Sequence, residues 1–257
     1  GGSTTTLNLT TLTIGSGTTL IAGTAADINV SGDWVNNGGT FTPGEGTVTF
    51  NGTGVQVIKG SAATQTFNGV VTAGTSSLIA SGSITTLTAA AATIGSGTTR
   101  TARTASNINV SGSWTNNGGT FTPGTGAVTF NGSSAQAIGG SSATTFNNLI
   151  INNASGVNMG SNVTVSGTLT LTNGTFSVGA NTLELDGPAI AGTPTKLSTT
   201  SSSNLTFGGS STGVGIPGNV TALNNLTINN TNNVILNSNI TLSGGLTLTS
   251  GKLKITV

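Results

Sequence analysis

The chain contains a long internal repeat: the segment TIGSGTT that begins at Thr13 returns at Thr93. Residues 13–60 and 93–140 are identical at 34 of 48 positions, and the sequence's two tryptophans, Trp34 and Trp114, occupy matching places in these copies. A weaker repeat relates FNNLIINNASGVNMGSNVTVSGTLTLTNG, starting at Phe146, to LNNLTINNTNNVILNSNITLSGGLTLTSG, starting at Leu223. Such tandem repetition favours a solenoid or propeller, because one repeat alone cannot bury its apolar face.

A shorter unit occurs four times, as SGDWVNNGGTF, SGSWTNNGGTF, SGTLTLTNGTF and SGGLTLTSGKL. Each copy has large apolar residues and a glycine at the same spacing. Because leucine takes the tryptophan position in two copies, we predict that the tryptophans pack in the core. The predicted core residues are Trp34, Trp114, Leu169, Leu246, Phe41, Phe121, Phe176 and Leu253. The predicted turn glycines are Gly39, Gly119, Gly174 and Gly251.

The sequence predicts short β-strands that are buried on one face. Segments such as NVTVSG and TLTLTNG alternate apolar and polar residues with the period of two that is typical of β-strands. From Leu149 to Leu183, apolar strand starts follow one another at steps of 8, 6, 6, 7 and 7. Three such steps give about 20 residues, which predicts three strands per coil, with Leu149 stacked on Leu169 and Val163 on Leu183. Four such coils would make up the long repeat.

We therefore predict an all-β fold, a right-handed parallel β-solenoid of about 20 residues per coil. It would form one continuous domain over residues 1–257, built of tandem units at approximately 13–92, 93–169 and 170–257. An antiparallel β-sandwich or barrel array is the alternative, because short, evenly spaced strands also fit that architecture.

The composition excludes several classes of function. Charged residues are 4% of the chain, against about 25% in ordinary soluble domains. Six basic and five acidic residues leave a net charge of +1, which offers no basic surface for nucleic acid or for an anionic membrane. No apolar run approaches the roughly 20 residues of a membrane-spanning helix. We expect neither nucleic-acid binding nor membrane insertion.

The ionisable residues suggest no chemistry. Glu184 and Asp186 lie two apart on a predicted strand and share a face, without a basic partner nearby in sequence; Asp27 and Asp33 are not acidic in the second copy of the long repeat. The chain has no cysteine and no histidine, and lacks the aspartate of calcium-binding β-helix repeats. We therefore predict no enzyme activity, no metal site and no cofactor.

Several motifs carry a family resemblance. NNGGTFTPGTGAVTFNG, TFNNLIINN, TLTLTNGTFSVG and the recurring apolar-x-apolar-Ser-Gly resemble the Gly/Thr/Asn-rich β-strand repeats of large bacterial surface and secreted proteins, of the adhesin and autotransporter type. The resemblance covers nearly the whole chain. It implies an extracellular or cell-surface location and a structural or adhesive role.

The strand pattern runs close to both ends of the sequence, without the helix or charge cluster that usually caps a solenoid. We therefore expect a structural filament subunit whose partner is a second copy of itself, joined head to tail. The alternative is an adhesin stalk, or a module that binds surface glycans or host cells. The expected subunit interface is Leu7, Leu9, Leu246, Leu248, Leu253 and Ile255.

Overall fold

A computed structural model describes residues 5–23, 26–103 and 107–256. These residues form short β-strands and a single 3-10 turn at Pro194–Lys196, with no α-helix among them. The chain divides into two compact units, Gly1–Ala127 with Gly140–Ser142, and Val128–Gly139 with Ala143–Val257. The tandem-unit boundaries expected near residues 92 and 169 stay a prediction.

Fifteen strands belong to unit 1. They are β1 Thr5–Leu9, β2 Leu12–Ile14, β3 Thr19–Ile21, β4 Ala26–Val30, β5 Trp34–Asn36, β6 Thr40–Thr42, β7 Thr47–Phe50, β8 Val55–Lys59, β9 Thr64–Thr72, β10 Ser77–Ala80, β11 Thr86–Ile94, β12 Thr99–Thr101, β13 Asn107–Val110, β14 Trp114–Asn116 and β15 Thr120–Thr122.

Unit 2 contains the remaining strands. The first residue of β16, Ala127, is itself assigned to unit 1. They are β16 Ala127–Phe130, β17 Gln136–Gly139, β18 Thr144–Phe146, β19 Asn148–Asn152, β20 Val157–Met159, β21 Val163–Val165, β22 Leu169–Asn173, β23 Phe176–Ser177, β24 Thr182–Leu185, β25 Ala191–Gly192, β26 Leu197–Ser198, β27 Asn204–Phe207, β28 Val214–Ile216, β29 Ala222–Leu223, β30 Asn225–Leu236, β31 Thr241–Leu242 and β32 Leu246–Ile255.

The strands of unit 1 stack in three parallel ladders. The first ladder is β1–β4–β7–β9–β11–β14, and the second is β2–β5–β8–β10–β12–β15. The third contains β3 with β6, and then the first halves of β9 and β11 with β13. Strands β9 and β11 each run through a corner, so their second halves belong to the first ladder.

Unit 2 stacks in the same way. Its ladders are β17–β20–β23–β26, β16–β19–β22–β25, and β18–β21–β24–β27–β30–β32. The second half of β30 pairs with β28 on one side and with the second half of β32 on the other. Strand β29 pairs with β31. Because the pairing is parallel and links residues one coil apart, the predicted β-solenoid is confirmed and the antiparallel alternative is wrong. Right-handed coiling stays a prediction, in line with the strong preference of parallel crossovers.

The coil length varies slightly along the chain. Leu149 pairs with Leu169 and Leu205 with Leu226, whereas the pair Leu183 and Leu205 encloses a longer coil than either. The predicted stacking of Leu149 on Leu169 and of Val163 on Leu183 is confirmed. Since the register keeps apolar residues opposite apolar residues, the inward positions of successive coils build one continuous core in each unit.

The long repeat is not a whole number of coils. From β4 to β13, which contain the matching Ile28 and Ile108, the chain passes eleven strand segments, counting the two halves of β9 and of β11 separately. Eleven segments at three per coil make three and two-thirds turns, so the four coils expected from the sequence are wrong. The weaker repeat of unit 2 also spans eleven segments, from β19 to the first half of β30. Matching residues therefore lie on different faces of the coil.

The two tryptophans illustrate this rotation. Trp34 lies in the second ladder, between Leu12 and Ile58, whereas Trp114 lies in the first ladder, beside Ala92. Both indoles are fully buried. The ring of Trp34 meets Phe41 and Phe67 edge-on at centroid distances of 4.7 and 5.1 Å. Trp114 meets Phe121 edge-on at 4.7 Å, as Trp34 meets the matching Phe41, and Leu12 and Ala92 are matching positions of the two copies. The repeat therefore conserves the local contacts of the tryptophan, while the face of the coil changes.

The other predicted core residues differ in burial between the inner coils and the last described coil. Phe41, Phe121, Leu169 and Phe176 are buried. Leu246 and Leu253 differ from the expectation: Leu246 is 48% exposed and Leu253 is half-buried. Both occupy inward positions of β32, but this last described coil has a neighbouring coil on one side only.

The interior also contains amide side chains, which the sequence reasoning missed. Buried Gln56 donates to the carbonyl oxygens of Val30 and Gly32 at 2.8 and 2.7 Å and accepts from the Gly52 amide at 2.9 Å. Gln65 accepts from the Trp34 indole at 3.0 Å and from the Asn36 amide at 3.1 Å. These bonds satisfy buried polar groups where the strands end. The signal was present, since Gln56 has its counterpart at Gln136 in the second copy of the long repeat.

The four predicted turn glycines have two different roles. Gly174 and Gly251 have φ of 70° and 74°, the left-handed conformation that glycine adopts most readily. In the tryptophan repeats the preceding glycine takes that conformation, Gly38 with φ of 90°. Gly39 and its counterpart Gly119 instead lie against the coil below, where a Cβ on Gly39 would collide with the Gly15 carbonyl oxygen and Ile14 Cγ2.

We expect Trp34→Ala to lower the free energy of unfolding by about 3–5 kcal/mol, because it opens a cavity among aromatic rings and leaves the Gln65 amide without its indole partner. Urea denaturation followed by circular dichroism measures this. Val35→Ala, on the half-buried outward side of the same strand, is the matched control, with a loss below about 1 kcal/mol. Equal losses in both variants would contradict the inward packing of Trp34.

Gly39→Ala should cost about 1–3 kcal/mol, since the added methyl group must push two coils apart. Gly54→Ala is the control: a Cβ there meets nothing within 4 Å, so its effect should stay within about 0.5 kcal/mol. Thermal and chemical unfolding of the two variants side by side test this. A neutral Gly39→Ala would show that the coils are not in close contact at this corner.

Candidate functional site

The six residues of the expected interface lie in the first and last described coils. Leu7 and Leu9 of β1 pair in register with buried Ile28 and Val30 of β4. They occupy inward positions, yet Leu7 is 43% exposed and Leu9 is half-buried. We call Leu7 and Leu9 the N-terminal core end.

The last coil shows the same arrangement more strongly. Leu246, Leu248, Leu253 and Ile255 pair with Leu226, Ile228, Val234 and Leu236, all of which are buried. Leu248 and Ile255 are nevertheless 58% and 67% exposed. We call these four β32 residues the C-terminal core end. Core-facing side chains are therefore exposed to solvent in these two end coils, whereas their in-register partners in the adjacent coils are buried.

Two acidic residues of unit 1, Asp33 and Asp27, accept hydrogen bonds from the backbone. Asp33 accepts from the Val57 amide at 2.9 Å and forms a salt bridge of 2.6 Å with Lys59. Asp27 accepts from the Thr47 amide at 2.9 Å, one coil further on. Both carboxylates thus tie neighbouring coils together, a structural use that the sequence did not indicate.

Glu184 and Asp186 lie close together on the outer surface of unit 2, as their spacing predicts. Glu184 accepts from the Thr164 hydroxyl at 3.2 Å. Burial raises the pKa of Asp186 above its ordinary value of 3.8, and the negative charge of Glu184 raises it further. Gly208 closes over this carboxylate, since a Cβ at position 208 would collide with Asp186 Oδ1. Neither carboxylate forms a salt bridge with a lysine or arginine of the described residues.

The asparagine pairs close turns and link coils. Asn36 Oδ1 accepts from the amides of Gly38 and Gly39 at 3.2 and 3.0 Å. Asn225 donates to Asn204 Oδ1 at 2.8 Å and accepts from the Gly245 amide at 2.9 Å. Within the described parts of the chain, no three histidine, cysteine or acidic side chains lie close enough to hold a metal ion.

A shallow cleft of about 240 Å³ lies on unit 1, and its lining is mostly amide and hydroxyl groups. The amides of Asn8 and Asn29 are joined by a hydrogen bond of 2.8 Å. The lining residues are Asn8, Leu9, Thr10, Asn29, Ser31 and Asn51. Such a surface can exchange hydrogen bonds with a polar ligand but provides no charge.

Comparison with protein-family models, with curated proteins and with solved structures finds no match to this chain. Among the described residues, no helix combines the length and the hydropathy that crossing a membrane requires. Three features of the described residues bear on function: the core ends, the carboxylate pair and the amide-lined cleft.

We expect Asp186→Asn to raise the stability of the chain at neutral pH by less than about 1 kcal/mol, because solvent screens this partly exposed group. The sign follows from linkage: a pKa raised by folding means that the ionised carboxylate is disfavoured in the folded state. The wild type should therefore gain stability as the pH falls through the raised pKa, and the gain is complete below 3.8.

Urea denaturation across that pH range measures the difference between wild type and Asp186→Asn. The difference should shrink as the pH falls. Glu45→Gln, at an exposed position, is the control for a general change of charge and should show no comparable trend. A wild type that loses stability relative to Asp186→Asn on acidification would contradict the raised pKa.

Proposed function

We propose that this chain is a structural subunit of an extracellular or cell-surface filament that assembles head to tail. The observation that carries the proposal is the exposure of core positions at the C-terminal core end. Leu248 is 58% exposed although its in-register partner Ile228 is fully buried. An apolar surface of this kind favours a further coil on top of it.

The N-terminal core end of a second copy is apolar and is therefore suited to cover the C-terminal core end. Each end coil has three strand segments, and within the described part of the chain each segment pairs with a strand on one side only, which leaves its other edge able to pair with a further strand. Stacking β1, β2 and β3 of one copy on the last coil of another would continue the parallel hydrogen bonding and bring Leu7 and Leu9 onto an apolar surface. The two contact surfaces differ, so the contact does not close on itself and produces a filament.

The charge distribution near the C-terminal core end is compatible with this contact. Lys252 and Lys254 alternate along β32 with Leu253 and Ile255, so they are directed outward from the coil. A net charge of +1 for the whole chain leaves little repulsion between copies. The Gly/Thr/Asn-rich strand repeats, which resemble those of bacterial surface proteins, support the extracellular setting.

A glycan-binding adhesin stalk is the second candidate, and the amide-lined cleft favours it. Neutral amide and hydroxyl groups such as those of Asn8, Asn29 and Ser31 can recognise sugar hydroxyls through hydrogen bonds. The rotation of the long repeat weakens this candidate, because a second copy of such a cleft would face another direction. A one-sided adhesive strip therefore does not follow from the repeat.

Leu248→Lys tests the filament. The wild-type chain should form polymers whose size grows with protein concentration, as measured by sedimentation velocity and electron microscopy. The variant should remain monomeric, because assembly would bury its unpaired ammonium group. Thr247→Lys is the matched control, with the same added charge on the adjacent, outward-directed residue, and should polymerise like the wild type.

Wild-type protein that stays monomeric at high concentration would overturn the filament, as would identical behaviour of the two lysine variants. Circular dichroism first establishes that each variant is folded. A glycan array probed with the monomeric variant then addresses the second candidate. Saturable binding that is lost in Asn29→Ala would favour the adhesin.

A further inference from the structure

Unit 1 contains one arginine in its interior. Arg100 is the central residue of β12, in register with Leu78 and Phe121, and its side chain is only 3% exposed. Both register partners are buried apolar residues. The matching residue in the first copy of the long repeat is Leu20. The second copy therefore places a cation where the first has a hydrocarbon side chain.

No carboxylate of the described residues compensates this charge. The acidic residues of unit 1 are engaged elsewhere or exposed: Asp33 pairs with Lys59, Asp27 accepts from a backbone amide, and Glu45 is exposed. The Arg100 Nη1 atom is buried without a hydrogen-bond partner in the described part of the chain. The ring of Trp114 lies 5.9 Å from Cζ and provides a cation–π contact.

The guanidinium nevertheless keeps its proton. Burial lowers the pKa of Arg100 to about 10, which is still well above neutral pH. An ionised group in an apolar interior is stable only when a counter-charge and hydrogen bonds replace the water it has lost. The aromatic ring covers part of the guanidinium, but Nη1 donates no hydrogen bond to any described residue.

We propose that Arg100 binds a small monovalent anion of the halide class inside unit 1. A guanidinium presents several N–H donors in one plane, and charge-assisted hydrogen bonds to an anion are among the strongest in proteins. The surrounding side chains, Leu78, Phe121 and Trp114, are nearly inaccessible to solvent, which restricts the ligand to a monatomic ion. The anion enters as the coils close around it during folding.

This binding has a thermodynamic signature. An anion that binds only the folded chain stabilises it in proportion to the logarithm of its concentration. Above the dissociation constant, a tenfold increase in chloride should raise the ratio of folded to unfolded protein by up to tenfold for a single site. Surface screening gives no such dependence on the identity of the anion when ionic strength is held constant.

The experiment is equilibrium unfolding of the full chain in sodium chloride and in sodium gluconate, mixed at constant ionic strength. Gluconate is too large for an interior site and serves as the inert anion. The wild type should become more stable as chloride replaces gluconate. Arg100→Leu, which reproduces the residue of the first copy at Leu20, should show no dependence on the anion, and Arg103→Gln should respond like the wild type, because Arg103 is exposed.

Crystals grown in bromide give an independent readout that does not depend on any variant. An anomalous peak within hydrogen-bond distance of the Arg100 guanidinium would support the site. Equal stability of the wild type in chloride and gluconate would overturn the proposal, since an internal water would then satisfy Nη1. A chloride response that persists unchanged in folded Arg100→Leu would also overturn it.

Discussion

The parallel hydrogen bonding between successive coils is the interaction on which the rest of this structure depends. Partners lie one coil apart along the chain, as at Leu149↔Leu169 and Leu183↔Leu205. Because side chains alternate along a strand, a shift of one residue in this register would turn every apolar side chain outward. The variable corner lengths are tolerated because they leave the strand registers intact. Core, surface and end properties all follow from this ladder.

The corners maintain the register where regular strands stop. Gln56 bonds the Gly32 carbonyl oxygen and the Gly52 amide, and Asn36 bonds the Gly38 amide, which are groups outside the strand ladders. Gly39 lets one coil approach the next without a side chain between them. These residues recur in both copies of the long repeat with the same local contacts, since a Cβ on Gly119 would collide with the Gly95 carbonyl oxygen and Ile94 Cγ2, the counterparts of Gly15 and Ile14. The repeat thus encodes local geometry that can be used on any of the three faces.

The same ladder makes the end coils and the interior arginine the unusual places of the molecule. At Leu248 the in-register neighbour is buried while the residue itself is exposed, and at Arg100 a charge lies among apolar partners. In the proposed filament a further coil covers Leu248. In the proposed anion site the anion provides the counter-charge for Arg100. The first concerns contacts between copies, and the second concerns the interior of a single unit, so neither depends on the other.

The sequence by itself determined the strand class, the inward and outward positions, and the stacking of Leu149 on Leu169, because the period of two and the regular steps between strand starts are local properties. Only the tertiary structure decided the rotation of the long repeat by one face. Strand β11, TLTAAAATI, passes through a corner without glycine or proline, and β9 passes through one at Asn68-Gly69 without ending, so their two halves cannot be counted from the sequence. The exposure of Leu246 and the surroundings of Arg100 were likewise decided by which coil lies above or below, a contact between residues a full coil apart that local pattern does not encode.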